Sequence, residues 1–599
     1  MSPPSRLAFA LQLASSVLAA AGLTPSLESR HGGSHSSCKA VPGSPDWPSS
    51  QDWARLNESL AGRLLQPAPP GAVCHPEQPS YNATECTAVR AAWSTFEFHQ
   101  ADPVSVDWNQ WSNDTCLPLE GTPCSGQGYP VFVINATEPR HVQLGIKFAK
   151  KHNVRLVVKS TGHDYIGRSV APNSLSIWTH HMKSFKAHDS FRPDRCKVTI
   201  DGTAVTVGAG TQMWDLYQAL DALNLTAVGG GGKTVSLGGY VQGAGHGLLA
   251  PSHGLAADAV LEMEVVTPKG EIVTANECQN QDLFWAMRGG GGSTFGVMTS
   301  VTMKTFPTPK LESATVMLVT TEIADPRPIF DMVAYVVSQL PSLADQGLSG
   351  YGFIFRAVAN PFDGGNTTVG GILFGGVLED ASAEELRALW DPILAHVAAT
   401  WPGLFVPLYE GAKSYPSFLG WFAENYDTST AGENGYTGSR LLDRDSLTAN
   451  LTRTSEAFER FTDGEMSTAY LVSGKGVHNA KPRGCGNAVL PAWRKAYVHA
   501  TFGTQFAPLN ATAAAEAEKR VQKRVAALRE LAPNMGAYVN EADYKEPNWQ
   551  KEFWGSHYKR LVSIKRAVDP DDVLWCTPCV GNERWEQVDD RLCRVNGNH

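Results

Sequence analysis

A histidine beside a glycine marks the stretch of this chain with the clearest chemical potential, Lys159–Ser169. His163 directly follows Gly162, and the turn that they form comes after the strand-like run Val154–Lys159. Glycine tolerates backbone conformations that other residues avoid, so the turn can hold the imidazole close to whatever it surrounds. This arrangement predicts that the imidazole lies against a bound molecule.

Two more glycine-rich loops follow in the same part of the chain, Gly238–Gly247 and Gly289–Gly296. Successive main-chain N–H groups in such loops form concave sites for anions. Three of these loops together predict a large cofactor that carries a pyrophosphate. The pattern is not that of a Rossmann fold, because no G-x-G-x-x-G motif follows a first strand with an acidic residue about 20 positions later.

Composition excludes several classes of partner. The chain has 599 residues, with 50 basic and 59 acidic side chains and a net charge of −9. No surplus of positive charge is therefore available to neutralise the phosphates of a nucleic acid. Charged residues make up only 18% of the chain, which argues against a largely disordered protein. We expect several globular domains, a small-molecule substrate and no nucleic-acid partner.

The N-terminus is typical of a secretory signal peptide over residues 1–21. Arg6 provides the positive start, Leu7–Leu18 is mostly apolar, and cleavage is predicted after Ala21. The apolar part is too short to span a bilayer, and no other run of 18 apolar residues follows. We expect a secreted protein without a membrane partner.

Two further features fit an oxidising compartment. The sequence contains eight Asn-X-Ser/Thr sequons, at Asn57, Asn82, Asn113, Asn135, Asn224, Asn366, Asn450 and Asn510. It also contains 11 cysteines, and because 11 is odd, at least one is free or pairs between chains. Disulfides are predicted for Cys74 with Cys86 and for Cys116 with Cys124. The Cys-X-X-Cys motif at Cys576 is not favoured as a redox or zinc site, because no second pair of metal-ligand spacing accompanies it.

Hydrophobic periodicity predicts an α+β unit over residues 127–308. A helix is expected over Glu138–His152, with one small apolar face, directly before the strand Val154–Lys159. Hairpins are expected around Asp201-Gly202 and around Pro268–Gly270.

The pattern changes on either side of this unit. After Pro307, strand-like runs alternate with helical ones and predict a second α+β domain with one sheet and covering helices. Ser382-Ala-Glu-Glu385 is a capping box that opens one helix, and Ala513–Leu531 is predicted as an amphipathic helix. Residues 22–125 are rich in Pro, Ser and Cys, and predict an irregular extension that disulfides hold together.

Motifs in a fixed order give the glycine loops a more specific meaning. They are Lys159–His163, Gly238–Gly247, Gly254–Asp258 and Asp282–Val297, and then Tyr538–Asp543, Trp549, Phe553–Tyr558, Leu561, Ile564-Lys565 and Asp569-Pro570. The first four resemble the FAD-binding domain of the vanillyl-alcohol-oxidase superfamily. The others resemble the C-terminal segment of berberine-bridge-enzyme-like oxidases.

The resemblance implies an α+β fold with a two-subdomain FAD-binding domain, residues 126–308. An α+β substrate-binding domain with one mainly antiparallel sheet is expected over residues 309–530. The berberine-bridge-like segment 531–585 is expected to return to the FAD domain. The signal peptide, the extension 22–125 and a tail, residues 586–599, complete this organisation.

The resemblance also implies that His163 is bonded through an imidazole nitrogen to the 8α-carbon of FAD. Such a substituent withdraws electrons from the isoalloxazine and is expected to raise its reduction potential. Many relatives carry a second link through a cysteine, but Gly232 stands at that place here, so we predict a single covalent bond. The residue that matches Val235 is linked to oxygen access in the family, and a small valine favours an oxidase that reduces O2 to H2O2.

Further cofactor contacts are implied by the matched motifs. One side of the pyrophosphate and ring is predicted to meet Lys159, Ser160, Thr161, Gly162, Asp164, Gly167 and Ser169. The other side is predicted to meet Gly238, Gly239, Gly243, Gly245 and Gly247. Asn540 is expected to reach back to the flavin, and no metal site is expected.

Candidates for the catalytic base lie on one predicted strand and in the C-terminal segment. Tyr497, His499 and Thr501 would share a strand face through the period of two. His499 could serve as a base near neutral pH or as a structural histidine. Tyr538 is a second candidate, because its counterpart in sugar-oxidising relatives lies beside the substrate. A glutamate like that of the plant alkaloid enzyme is not evident in this strand, which argues against the alkaloid mechanism.

Together these observations predict a secreted, monomeric FAD-dependent oxidase. Its substrate would carry a C–H next to a hydroxyl or an amine, hydride would pass to flavin N5, and O2 would be the second substrate. Two alternatives stay open: an oxidative cyclase or dehydrogenase of secondary metabolism, and a non-catalytic binding protein that keeps the flavin fold.

Overall fold

The computed structural model describes residues 38–360 and 363–595. The predicted signal peptide, residues 1–21, and the last four residues of the predicted tail lie outside the described residues. Within the described ranges, no helix combines the length and the apolar character that crossing a lipid bilayer requires.

Two sheets carry the glycine loops. The first has four strands in the order Leu64–Leu65, Phe132–Asn135, Ser174–Trp178 and Arg155–Lys159, and only its first pair is antiparallel. The second is antiparallel, with five strands in the order Phe185–His188, Ala204–Gly208, Val297–Lys304, Val260–Val266 and Ile272–Asn276. A short pair joins Leu225–Thr226 to Phe306–Pro307. Because Arg155–Lys159 ends just before His163, the first sheet fixes the position of that imidazole.

The second half of the chain contains a seven-stranded antiparallel sheet, as predicted. Its strands follow the order Val406–Tyr415, Leu311–Thr320, Thr368–Glu379, Ser349–Ala359, Met466–Leu471, Ala496–Phe506 and Asn434–Asp443. Helices Arg327–Asp345, Leu451–Thr462 and Ala511–Leu531 pack on each other and on this sheet. Side chains alternate between the two faces of a strand, so the other face is free to line a cavity.

The remaining helices are mostly short and connect or cover these sheets. The α-helices are Ser50–Ser59, Ala83–Ala92, Phe96–Ala101, Pro139–Lys151, Met213–Asp221, Leu237–Gly243, Ala250–His253, Ala256–Ala259, Gln281–Ala286, Ala383–Thr400, Phe418–Asn425, Arg444–Thr448, Lys475–His478, Trp549–Trp554 and Tyr558–Val568. The 3-10 helices are Ala72–Cys74, Asn109–Ser112, Pro491–Arg494, Gly555–His557 and Asn582–Arg584.

Helix positions agree closely with the periodicity of the sequence. The helix predicted over Glu138–His152 spans Pro139–Lys151 and buries its small apolar face. The capping box at Ser382 is present, with the serine side chain accepting from the backbone N–H of Glu385. These local signals are strong because they depend on neighbours in sequence alone.

The hairpin predicted around Asp201-Gly202 is wrong. Ala204–Gly208 is a strand, but its two edges are occupied by Phe185–His188 and Val297–Lys304. The run before the turn contributes only an isolated bridge, and Cys196 is held elsewhere by a disulfide to Cys278. The hairpin predicted around Pro268–Gly270 is confirmed.

The segment before residue 126 is more ordered than predicted. Its described part contains helices Ser50–Ser59, Ala83–Ala92 and Phe96–Ala101, and Leu64–Leu65 extends the first sheet. Asp107 lies fully buried beside His163. The prediction was wrong because these helices are short, so their hydrophobic periodicity in the sequence is weak.

Five disulfides are present, including both predicted pairs. They join Cys38 to Cys593, Cys74 to Cys86, Cys116 to Cys124, Cys196 to Cys278 and Cys576 to Cys579. In the described part of the chain, Cys485 is the cysteine without a disulfide partner, and it is exposed. The Cys-X-X-Cys motif is thus a disulfide.

The C-terminal segment returns to the glycine loops, as predicted. The indole N–H of Trp554 donates to the Gly289 carbonyl at 3.0 Å, and Lys565 Nζ donates to the Thr294 carbonyl at 2.9 Å. A two-stranded sheet, Trp585–Val588 with Arg591–Arg594, follows. The segment therefore braces the third glycine loop from behind.

A buried ion pair joins the large sheet to this segment and yields a stability prediction. Arg440, with a side chain only 1% exposed, contacts Glu552 at 2.5 Å and donates to the Ala532 carbonyl. Arg440→Ala leaves the Glu552 carboxylate buried without its partner, so we expect a loss of about 3–5 kcal/mol in the free energy of unfolding. Denaturant titration followed by tryptophan fluorescence measures it.

The matched control is Arg460→Ala, which removes an ion pair with Glu530 that is about half exposed on both sides. Water screens such pairs, so this change is expected to cost about 0–1 kcal/mol. Equal destabilisation by the two substitutions would contradict the role given to the buried pair.

Candidate active site

One large cavity, about 1010 Å³, lies between the glycine loops and the open face of the seven-stranded sheet. Alternate residues of the sheet strands line it, as the period of two requires. They include Ser313, Thr315, Met317, Tyr351, Phe353, Phe355, Leu373, Gly375, Val377, Met466, Thr468, Tyr470 and Thr501. Its volume is at the upper end for ligand sites, which leaves room for a large cofactor together with a substrate.

His163 lies on the cavity wall and is held from three sides. Gly162 adopts φ +97°, a value that favours glycine, so the turn depends on that residue. The imidazole Nε2 is 2.6 Å from Thr234 Oγ1, Nδ1 is 3.1 Å from Asp107 Oδ2, and the ring packs on Phe96. Burial lowers the pKa of His163 to about 3, so the ring is neutral and keeps a nitrogen lone pair.

Asp107 is the least expected neighbour of that histidine. Its carboxyl is fully buried, and neither oxygen has an aligned hydrogen bond within the described residues, although one lies at ion-pair distance from the imidazole. Burial raises the pKa of Asp107 well above its usual range, against the pull of the Lys159 ammonium. A buried polar group without a hydrogen bond is uncommon and indicates a function or an absent partner.

A second polar cluster also lines the cavity, where Glu541 lies between two histidines. Its two carboxylate oxygens are 3.2 Å from His246 Nε2 and 3.0 Å from His499 Nε2. His499 is fully buried, whereas Glu541 keeps part of its side chain exposed toward the cavity. The same ligand atoms lie close enough to hold a metal ion, but the direct distances are those of hydrogen bonds.

The charge state of this cluster follows from burial and from these contacts. Burial works to raise the pKa of the Glu541 carboxyl, but charge interactions and hydrogen bonds with His246 and His499 outweigh it and lower the pKa below 4.5. Burial lowers the pKa of His499. The Nδ1 atoms of both histidines lack hydrogen-bond partners among the described residues. The cluster is thus a carboxylate that accepts two N–H bonds and still faces the cavity with free lone pairs.

Tyr538 and Asn540 link this cluster to the first glycine turn. The Tyr538 hydroxyl oxygen accepts from the Gly245 N–H at 3.2 Å and from Asn540 Nδ2 at 3.0 Å. Arg168 donates to Asn540 Oδ1 at 3.0 Å and to Asp164 at 2.7 Å. Tyr538 and Asn540 both line the cavity, and burial raises the pKa of Tyr538.

Tyr497 does not belong to the site, which corrects its place among the catalytic candidates. Its hydroxyl donates to Asp345 at 3.1 Å and accepts from Arg444 at 3.0 Å, on the helix side of the sheet. The strand pairing shifts register at this point, and the extra residue reverses the alternation of faces. His499 and Thr501 follow the irregularity and lie on the cavity side.

Most of the predicted cofactor-binding residues lie on the cavity wall. Those that line it are Ser160, Thr161, Gly162, His163, Asp164, Ser169, Val235, Gly238, Gly239 and Asn540. Those placed behind it are Lys159, Gly167, Gly243, Gly245 and Gly247. His499 also lies behind the wall and reaches the cavity only through Glu541.

Packing explains the residues behind the wall. Lys159 Nζ donates to the carbonyls of His99 and Asp102 at 3.1 and 2.6 Å and therefore points away from the cavity. A Cβ at Gly167 would collide with the Trp111 ring, and a Cβ at Gly243 would collide with the Asn540 side chain. These glycines permit close approach of protein to protein, whereas the prediction assigned them to the cofactor.

The cavity wall itself fits a flavin dinucleotide. A Cβ at Gly239 or Gly292 would meet no atom within 4 Å, so these glycines keep space open for a ligand. Ser169 Oγ and Gln242 Oε1 are buried in the wall and lack hydrogen-bond partners within the described ranges. Such open space and unpaired polar groups are what a bound ring system and pyrophosphate would use.

Four residues with direct roles in this geometry were missed by sequence reasoning. They are Asp107, Thr234, His246 and Glu541. His246 and Glu541 stand inside or next to quoted motifs, so a search for polar residues within those motifs would have found them. Nothing in the local sequence marks Asp107, because its importance comes from a contact across more than fifty residues of chain.

Comparisons with known proteins agree with this site. A family model described as an FAD binding domain matches residues 130–276, and one described as berberine and berberine like matches residues 537–580. An uncharacterized FAD-linked oxidoreductase of Arthroderma benhamiae is 35% identical over 581 residues, which cover 93% of this chain and 96% of that protein.

A second relative, the bifunctional decalin synthase calF of Penicillium decumbens, is 33% identical over 93% of this chain and 96% of its own. The crystal structure of the VAO-type flavoprotein MtVAO713 from Myceliophthora thermophila C1 superimposes with a TM-score of 0.86. The two sequences are 30% identical, and the superposition covers 93% of this chain and 100% of the MtVAO713 chain.

Proposed function

The chain belongs to the FAD-linked oxidoreductases of the vanillyl-alcohol-oxidase and berberine-bridge-like superfamily, and on that premise we propose that it is a secreted FAD-dependent oxidase. The substrate carries a C–H next to a hydroxyl or an amine, as in an alcohol, a sugar or an amine. A bound flavin would accept the hydride at N5, and O2 would then be reduced to H2O2. When bound, the flavin supplies the redox chemistry, and the protein supplies position and electrostatics.

One observation carries this proposal: His163 and Glu541 line the same cavity. His163 belongs to the loops that would hold the flavin, and Glu541 faces the aromatic side of the sheet, where a substrate would lie. In this proposal the hydride donor lies between the flavin ring and the Glu541 carboxylate.

Glu541 is the group that we assign to receive the substrate proton. A carboxylate oxygen with free lone pairs can accept the O–H or N–H of a substrate while the neighbouring C–H faces the flavin. His246 and His499 orient the carboxylate, and a proton that enters the cluster is shared among the three groups. His499, predicted as a base, is thus a positioning residue.

The sheet face gives the substrate an enclosed, largely aromatic surrounding. Tyr351 and Tyr470 meet edge to face at 5.1 Å, and Phe353 packs on Tyr470. Burial raises the pKa of both tyrosines, so the hydroxyls stay protonated and act as hydrogen-bond donors or acceptors. These rings exclude water and position a substrate by its apolar body.

A single covalent flavin link, through His163, is part of the proposal. The loop with Gly231 and Gly232 lines the cavity and offers no thiol for a second link. Lys233 lies over the rings of Tyr426 and Trp214, at 3.4 and 4.5 Å from their centres, and holds this loop in place. Val235 lines the same wall, and its small side chain supports access of O2 to the flavin.

Secretion has support from features outside the site. Five disulfides fit an oxidising compartment. Six of the eight sequon asparagines are exposed, and the other two are half-buried; the exposed ones are Asn82, Asn113, Asn224, Asn366, Asn450 and Asn510. Surface asparagines in this pattern are suited to glycosylation.

A second candidate function is an oxidative step in secondary metabolism. The relative named as a bifunctional decalin synthase favours it, because it covers nearly the whole chain at 33% identity. Such an enzyme would share the fold, the flavin and Glu541, but would act on a larger natural product.

A substrate screen separates the two functions. Simple alcohols, sugars and amines are compared with polycyclic natural products, while flavin bleaching without O2 and H2O2 formation with O2 are followed together. Bleaching and stoichiometric H2O2 with small substrates support the proposed oxidase. Turnover confined to natural products supports the second function, and a flavin that no donor or chemical reductant bleaches would contradict both.

A further inference from the structure

Asp107 occupies an unusual position for an acidic residue. It is fully buried, it comes from the segment before the matched FAD-binding domain, and its carboxyl has no hydrogen-bond partner within the described ranges. Its Oδ2 lies 3.1 Å from His163 Nδ1. Burying an unpaired carboxyl is costly, so its retention here calls for a role that involves the imidazole.

Nearby charges act on the Asp107 carboxylate in both directions. The buried Lys159 ammonium lowers the pKa of Asp107 and so favours its ionised form. The carboxylates of Asp164 and Asp427 raise that pKa and favour the protonated form. Burial raises the pKa of Asp107, which makes its carboxylate a stronger proton acceptor than an exposed aspartate. His163 itself is neutral, as its lowered pKa shows.

One tautomer of His163 fits an ionised Asp107, because a carboxylate can only accept a hydrogen bond. Thr234 Oγ1 lies 2.6 Å from Nε2 and can donate its hydroxyl proton to the lone pair of that nitrogen. Nδ1 then carries the ring proton and faces Asp107. Nε2 is thus the nucleophilic nitrogen, and Nδ1 holds the proton that must leave once Nε2 is alkylated.

The bond to the flavin can be balanced with these groups. A new N–C bond to the 8α-carbon replaces one C–H bond and one N–H bond, so two protons and two electrons leave the reacting pair. The oxidised flavin takes up the two electrons, and O2, which accepts them in the proposed reaction, returns the flavin to its oxidised state as H2O2 forms. Without a base at Nδ1, the alkylated ring would stay a buried cation, which is unfavourable.

We propose that Asp107 promotes covalent attachment of FAD by accepting the Nδ1 proton of His163 as the N–C bond forms. The inference rests on the proposed covalent link. It assigns a role to a residue that lies outside the matched cofactor-binding domain, and it explains why a carboxyl is buried beside an imidazole without other partners.

The test compares attachment rates in protein made under riboflavin limitation and then mixed with FAD. Covalent flavin is read as fluorescence that stays with the denatured polypeptide, and non-covalent binding is read from the native absorption spectrum. We expect Asp107→Asn to bind FAD but to slow attachment by about 10²-fold, the usual contribution of a general base. Its rate should keep rising with pH, because hydroxide replaces the missing carboxylate, whereas the wild-type rate should level off once Asp107 is ionised.

Asp102→Asn is the matched control. Asp102 also interacts with Lys159, but its carboxylate accepts from the backbone N–H groups of Val104 and Ser105 and does not contact His163. Its attachment rate should stay near that of the wild type. If Asp107→Asn does not fold, Asp107→Ala, which leaves no buried polar group, provides the same comparison.

The outcomes are distinct. Wild-type attachment by Asp107→Asn, or equal impairment by Asp102→Asn, would overturn the role of Asp107 and leave the proposed function intact. A wild-type protein that binds FAD but never retains it after denaturation would instead refute the covalent link itself.

Discussion

Replacing Glu541 by glutamine is expected to lower kcat by about 10²- to 10⁴-fold, the range that removal of a general base commonly causes. The amide keeps the size of the side chain but cannot accept a substrate proton. His246 and His499 would then face an uncharged group in place of the carboxylate that now accepts their N–H bonds. Steady-state kinetics with any substrate from the screen measures the effect.

Glu424→Gln is the control for that change. Glu424 also lines the cavity, but it is exposed and paired with Lys413, so its neutralisation should alter kcat little. Flavin content and melting temperature should match the wild type in both variants. An unchanged kcat in Glu541→Gln would remove Glu541 from the mechanism.

The pH dependence of the wild type provides a second reading of the same carboxylate. Because the pKa of Glu541 lies below 4.5, the carboxylate is ionised across the neutral range and is lost only as the pH falls through that lower value. Titration of Glu541 should therefore not change kcat/KM between pH 8 and pH 5. A fall in kcat/KM between pH 8 and pH 5 that is absent in Glu541→Gln would contradict this lowered pKa.

His163→Ala is expected to release all flavin on denaturation, whereas the wild type retains it. The expected reason is that His246, another imidazole on the described cavity wall, is hydrogen-bonded to Glu541, and that Gly232 offers no thiol. The reduction potential of the remaining bound flavin should fall, because the electron-withdrawing imidazole is gone. Acid precipitation followed by absorbance of pellet and supernatant measures the first effect, and dye-linked reduction measures the second.

His253→Ala serves as the comparison for this substitution. His253 contacts Glu379 at 3.0 Å, away from the cavity wall, and its removal should leave flavin retention unchanged. Flavin that stays in the His163→Ala pellet would show that another residue carries the link.

Local patterns in the sequence were enough for much of the fold. The helix Pro139–Lys151 and the capped helix Ala383–Thr400 depend on neighbouring residues, and both match prediction. The hairpin at Asp201-Gly202 fails because strand pairing is decided by distant partners, here Val297–Lys304. A turn signal predicts where the chain bends, but it does not predict which strands then pair with each other.

The site was predictable on the side of the cofactor and much less so on the side of the substrate. His163 was identified because a strand-like run and a glycine turn stand directly before it in the sequence. Tyr497 was misplaced because one irregularity in the strand reverses the faces. Asp107 and Glu541 gain their roles from contacts between remote segments, which no spacing rule expresses.

Mass spectrometry of tryptic peptides from the purified wild-type protein tests the central claim most directly, because it requires no substrate. Cleavage after Lys159 and Arg168 releases the peptide Ser160–Arg168, in which His163 is the sole histidine. We predict that this peptide carries the mass of one FAD on His163, and that the peptide with Gly232 carries none. An unmodified Ser160–Arg168 peptide, or flavin attached to another peptide, would contradict the claim that His163 holds the cofactor.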